Sequence, residues 1–101
     1  MTVKYEWDVE TVTTVESEER EAGEVLDHYF CVSYREALWR SKQPAPEGCK
    51  YVIVLVRDDE NSRSWAYMLP SGLPTFFTDA SGNTIQVPVK YHREVEREKR
   101  P

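Results

Sequence analysis

The stretch "VKYEWDVETVTTV", Val3 to Val15, decides the fold class. Val3, Tyr5, Trp7 and Val9 alternate with Lys4, Glu6, Asp8 and Glu10, and threonines continue the run, the period of two expected of a half-buried strand. The next residues, "ESEEREAGE" (Glu16–Glu24), have no apolar periodicity and contain a glycine, so they read as a solvated hairpin connection. Val25 to about Cys31, "VLDHYFC", is then the returning strand.

Past this hairpin the pattern changes. "VSYREALWRSK" carries a helix start: Ser33 and Glu36 form an S-x-x-E capping box, and Val32 is placed to staple onto Ala37. Tyr34, Ala37, Leu38 and Ser41 make one narrow core-facing stripe, and the two prolines of "QPAPEG" (Gln43–Gly48) end the helix. Tyr51 to Val56 is apolar on both faces and rich in β-branched residues, which predicts a central strand covered on both sides. "RDDENSR" turns the chain, "SWAYML" pairs back, and "TFFTD" and "NTIQVP" flank "ASG" as a third hairpin. From Val89 a second helix with a thin stripe, Tyr91 and Val95, ends near Arg97, Lys99 and Arg100, with fraying expected after about Glu96 (a tail of residues 97–101). The order β-β-α-β-β-(β-β)-α predicts an α+β single domain, a mainly antiparallel sheet of four to six strands with two short helices on one face.

Composition fits one domain. The 101 residues are 40% hydrophobic and 31% charged, and 12% aromatic content argues against disorder. The longest apolar run, Tyr51 to Val56, is far short of the ~20 residues of a membrane span, and "MTVKYEWDVE" has no apolar secretory core. A cytoplasmic protein with no membrane association is expected. Two cysteines, Cys31 and Cys49, are too few for a disulfide framework and are expected as free thiols. The net charge of −5 is uneven: residues 1–30 hold nine carboxylates against Lys4 and Arg20, while the remainder is slightly basic. Without a concentrated basic face, direct nucleic-acid binding is disfavoured.

Chemistry has little foothold. Within "VLDHYFC", a strand sends Asp27 and His28 to opposite faces, and His28 and Cys31 likewise; Asp27 and Cys31 share a face but stand ~13 Å apart. An enzymatic reading needs Asp27, His28, Cys31 or His92 brought together by the fold. His28, Cys31, Cys49 and His92 are the right residue types for zinc, but only H-x₂-C is closely spaced, so no metal is expected. "DDE" (Asp58–Glu60) lacks the spaced ligands of a calcium loop. The four glycines stand alone, no catalytic motif is visible, and no cofactor is expected.

Two surfaces stand out. Trp39 lies outside the core stripe, flanked by Arg35 four residues before and Lys42 three after, a set that suits an interface anchor. The alternative is that Trp39 covers the sheet edge with Arg35 stacked on it. Glu6, Asp8 and Glu10 stand ~6.7 Å apart along their strand, close to two nucleotide rises, and with the loop 16–24 could imitate a phosphate backbone for a basic partner. The alternative is an ordinary solvated strand face.

In this order, "YEWDVE", "VLDH", "SYREAL", "VLVR", "RSWAYM", "LPTFFTDASG" and "VPVKYHREV" resemble a group of small proteins encoded in phage and prophage genomes, over Tyr5 to Val95. The resemblance implies no activity and no site residues. It implies a setting in which small accessory proteins bind host or phage proteins. The expected function is a non-enzymatic protein-interaction module with Arg35, Trp39 and Lys42 as a candidate surface. The rival is an acidic decoy built on Glu6, Asp8 and Glu10. Any homodimer is expected to use an uncovered sheet edge.

Overall fold

The computed structural model describes residues 2–15 and 21–99. Its elements follow the expected order: β1 (Lys4–Thr13), β2 (Val25–Cys31), α1 (Tyr34–Ser41), β3 (Cys49–Asp58), β4 (Arg63–Tyr67), β5 (Phe76–Asp79), β6 (Thr84–Gln86) and α2 (Val89–Lys99). All six strands join one antiparallel sheet in the order β2-β1-β3-β4-β5-β6, so the fold is α+β. Of the expected connection Glu16–Glu24, residues 16–20 lie outside the described residues, as do residues 100 and 101.

β1 is an interior strand. It pairs with β3 along ten residues, from Lys4↔Asp58 to Thr13↔Cys49, and with β2 on its other side. Since β2 and β3 both run antiparallel to β1, they are parallel to each other, and no tight hairpin can join them. The chain instead crosses through α1, which is thereby laid over one face of the sheet. That face supplies Trp7, Val9, Cys31, Ile53, Leu55, Ala66 and Phe77, packed against Tyr34 and Ala37 of α1 and Val95 of α2. Trp7 and Tyr34 rings meet at 5.0 Å, and Tyr91 of α2 lies 5.0 Å from Tyr5, so aromatic contacts tie both helices to β1.

The helices correct two details of the sequence reading. Ser33 Oγ accepts from the Glu36 N–H at 3.2 Å, as a capping box requires. The reciprocal arm is displaced, because Glu36 Oε2 accepts from the Val32 N–H at 3.1 Å, not from that of Ser33. Val32 is 95% exposed and staples nothing, since its side chain leaves the sheet just where the chain turns away from it. α2 runs past Glu96 to Lys99. Val95 is buried, Lys99 Nζ bonds Glu96 Oε1 at 3.2 Å, and Arg97 and Lys99 sit at the negative end of the helix.

The hairpins close on aspartates. Asp59 Oδ1 accepts from the Asn61 and Ser62 N–H groups, both at 2.7 Å, and Arg57 donates to its other oxygen at 2.9 Å. Those bonds to Asn61 and Ser62 hold the Asp59 carboxyl below the ordinary aspartate range. In the β5–β6 turn Asp79 Oδ1 accepts from the Ser81 and Asn83 N–H groups, both at 2.9 Å, with Gly82 at φ 84° completing the reversal. Among the described residues, no helix is long and apolar enough to cross a membrane.

Candidate functional site

β3 was expected to be covered on both sides, and here the structure departs from the sequence. Both described helices lie on one face. Val54 and Val56 point to the other and are still fully buried, by the side chains around them rather than by a second layer. Cross-strand register shows which side chains these are. Phe30 on β2 pairs with Asp8 on β1, Asp8 with Val54 on β3, and Val54 with Tyr67 on β4. The Trp65↔Thr78 pairing, carried two residues on, brings Tyr67 opposite Phe76, which pairs with Gln86. A single row therefore crosses all six strands: Phe30, Asp8, Val54, Tyr67, Phe76, Gln86. The adjacent row runs Glu6, Val56, Trp65, Thr78, Thr84. On the other side of Asp8, His28 pairs with Glu10 and Glu10 with Val52.

This open face is aromatic where it is accessible and acidic where it is not. Phe30, Tyr67 and Phe76 are 51%, 42% and 51% exposed, and Trp65 is half-buried. Asp8 is only 3% exposed and Glu10 8%. The Tyr67 hydroxyl makes a long bond to Glu10 Oε2 at 3.4 Å, so its side chain reaches diagonally from β4 toward β1. His28 and Phe30 meet edge to face at 5.0 Å on the outer side of the two acids. Asp8 Oδ1 and Glu10 Oε1 are buried with no hydrogen-bond partner among the described residues. Burial, reinforced by the negative charge of Glu6, raises the Asp8 pKa from 3.8 to about 6, against the opposing pull of His28 and Arg63. Burial and the Glu10 carboxylate push the Tyr67 hydroxyl up to about 12.

The expected acidic row is thus present but not displayed. Glu6, Asp8 and Glu10 share one face, as their alternation required, yet only Glu6 is half-exposed. The solvated strand face expected for them is corrected, because flanking strands bring Phe30, Val54 and Tyr67 against the short Asp8 side chain. A ladder imitating phosphates needs its charges in solvent, and two of these three are sunk in the sheet.

On the opposite layer, Trp39 is 61% exposed, and Arg35 and Lys42 are exposed beside it on the helix. Trp39 does not cover the sheet edge. The cation–π contact there is made by Arg40, whose guanidinium lies 3.4 Å from the centre of the Tyr29 ring, while Arg35 reaches toward Glu98 of α2 at 4.0 Å.

The residues required for catalysis or metal binding are kept apart. His28 faces the open side, and Cys31, paired with Trp7, faces the helices. Asp27 pairs with Thr11, four residues along from Cys31, and its Oδ1 accepts from the His28 backbone N–H at 2.8 Å. Cys49 pairs with Thr13, six residues along β1 from the partner of Cys31, a separation of about 20 Å that no disulfide spans. Both cysteines are free. Among the described residues no three His, Cys, Asp or Glu side chains converge on a common point. The Asp59 oxygens of "DDE" are taken up by the turn itself.

One functional-looking group escaped the sequence reading. Glu94 on α2 accepts from Trp7 Nε1 at 3.2 Å and from the Tyr34 N–H at 2.8 Å, joining β1 and the start of α1 to the C-terminal helix. It is structural: an anion at a helix N-terminus and an acceptor for a buried indole.

Neither the protein-family models, nor the curated proteins, nor the solved structures hold a match to this chain.

Proposed function

We propose that the chain is a non-enzymatic protein-interaction module whose binding surface is the helix-free face of the sheet. The observation that carries this is the row of exposed rings, Phe30, Tyr67 and Phe76, with Trp65 beside them. Exposed aromatic side chains gathered on one sheet face mark interaction sites, and Trp and Tyr are the residues that dominate binding energy at interfaces. The resemblance to small phage and prophage proteins supports the same class of function. The partner is a protein rather than nucleic acid, since a face centred on carboxylates repels phosphate. A reducing cytoplasm is the setting, supported by two free thiols too distant to pair.

The test is affinity capture from bacterial lysate at low and high salt, with three baits: wild type, Phe30→Ser/Phe76→Ser and Trp39→Ala. A partner held at high salt by wild type and Trp39→Ala, and lost by the double variant, supports the open face. The reverse pattern moves the binding surface to Arg35, Trp39 and Lys42. A partner retained by all three baits, or none at all, defeats the reading.

A further inference from the structure

We propose that the open face receives an arginine or lysine side chain of the partner polypeptide over the Asp8–Glu10 pair. This rests on the reading above and adds the chemistry of the partner. Each of the two carboxylates is more than nine-tenths buried, and each keeps one oxygen without a partner. The ion pairs of the described residues, Arg35–Glu98, Arg40–Glu36, Arg57–Asp59 and Lys99–Glu96, include neither acid. A buried charge is ordinarily paired, because desolvation without compensation is costly. Among the described residues neither acid is held in an ion pair, and the pull of His28 and Arg63 on Asp8 is outweighed by burial.

Asp8 and Glu10 are alternate residues of one strand, their Cα atoms ~6.7 Å apart on the same face, so their carboxylates lie within the compass of one guanidinium fork or of two adjacent basic residues. Rings border them: Phe30 next to Asp8, His28 next to Glu10, and Tyr67 reaching in from β4. Aromatic faces hold a cation and carboxylate oxygens bond it, while the methylene stem lies on Phe30 and Tyr67. The row from Phe30 to Gln86 crosses the five spacings between six strands at ~4.8 Å each, about 24 Å in all, the span of an extended polypeptide rather than of a small ammonium compound.

A random heptapeptide library panned against the full-length protein tests this. Selected peptides are expected to carry Arg or Lys beside an aromatic or aliphatic residue. Asp8→Asn and Glu10→Gln, each confirmed as folded by circular dichroism, should each weaken such a peptide tenfold or more. Exchanging the peptide's arginine for citrulline, or its lysine for norleucine, should cost wild type a similar factor and cost the variants little. The citrulline or norleucine arm stands alone if a protein variant does not fold. Peptides without a cation that require Phe30 and Phe76, and bind Asp8→Asn and Glu10→Gln as wild type does, overturn the cation site and leave the interaction module standing. Peptides indifferent to every open-face substitution overturn both. If panning yields nothing while light scattering shows a dimer broken by Phe30→Ser, the face belongs to a second copy of the chain and the inference is wrong.

Discussion

Asp8→Asn should stabilise the protein, and by an amount that grows with pH. The Asp8 pKa is raised to about 6, mainly by burial, from an ordinary value of 3.8. A carboxyl whose folded pKa lies above its unfolded one favours folding in its protonated form. That contribution is complete below the unfolded pKa and is lost as pH rises through the folded pKa. One pKa unit corresponds to about 1.4 kcal/mol, so a shift of about two units withdraws on the order of 3 kcal/mol by about pH 8. The asparagine variant does not titrate and escapes this loss. Its amide leaves donors to be satisfied, which adds an offset, but the offset is independent of pH. Urea unfolding of both proteins from about pH 4 to about pH 8 therefore isolates Asp8 in the difference between them, since the other titrating groups largely cancel. The difference should shift in favour of the variant across that range, most steeply near pH 6. A flat difference, or one that turns against the variant as pH rises, refutes the argument that Asp8 is a desolvated, unpaired acid.

Neighbouring phenylalanines on β5 should behave oppositely. Phe77→Ala empties a fully buried site and should cost about 3–5 kcal/mol in denaturant unfolding, whereas Phe76→Ala, on the open face, should cost about 1 kcal/mol or less and act on binding. Glu94→Ala removes the acceptor shared by the Trp7 indole and the Tyr34 N–H; a loss of about 1–3 kcal/mol is expected, with a change in tryptophan emission, and unaltered stability would deny Glu94 its bridging role. Trp39→Ala should leave the unfolding midpoint within about 0.5 kcal/mol of wild type, because the ring is mostly in solvent; a loss approaching that of a core tryptophan would place it in the fold.

Much of the architecture was written locally. Alternation in Val3–Val15 identified β1 and its two faces, Ser33 marked the start of α1, and aspartate-rich and glycine-bearing turns separated the later strands. Each of these signals acts between residues a few positions apart. What sequence did not show depends on pairing across the chain. Period two places Asp8 and Glu10 on the face away from Trp7, but whether that face is wet depends on β2, β3 and β4, which place Phe30, Val54 and Tyr67 around Asp8 from 22 to 59 residues away. Val54 and Val56 were legible as buried, and the obvious inference of a second covering layer was wrong for the same reason: tall side chains on adjacent strands sealed them. Glu94 was hidden because nothing in a thin helical stripe says which acid meets an indole. The need for an acceptor was readable from Trp7; its identity was not.

The two faces of the sheet solve different problems. Over the helix-covered face, apolar groups are buried, Trp7 finds Glu94, and the start of α1 is capped, so little is left for a ligand to gain. The other face is arranged the wrong way round for a surface selected only for stability and solubility, where acids would project and rings would hide. Instead the rings stand half in solvent and two acids lie beneath them with no ion-pair partner among the described residues. Valine or threonine at residue 8 would suit a sheet of this kind and avoid the desolvation cost. An arrangement that burdens the isolated fold becomes favourable once a partner covers the rings and brings a cation to the carboxylates, for then the apolar area is removed from water and the charge is paired in one event. At Asp8 the cost to stability and the gain on binding thus arise from the same residue, so a neutral substitution there should stabilise the free protein as it weakens the complex.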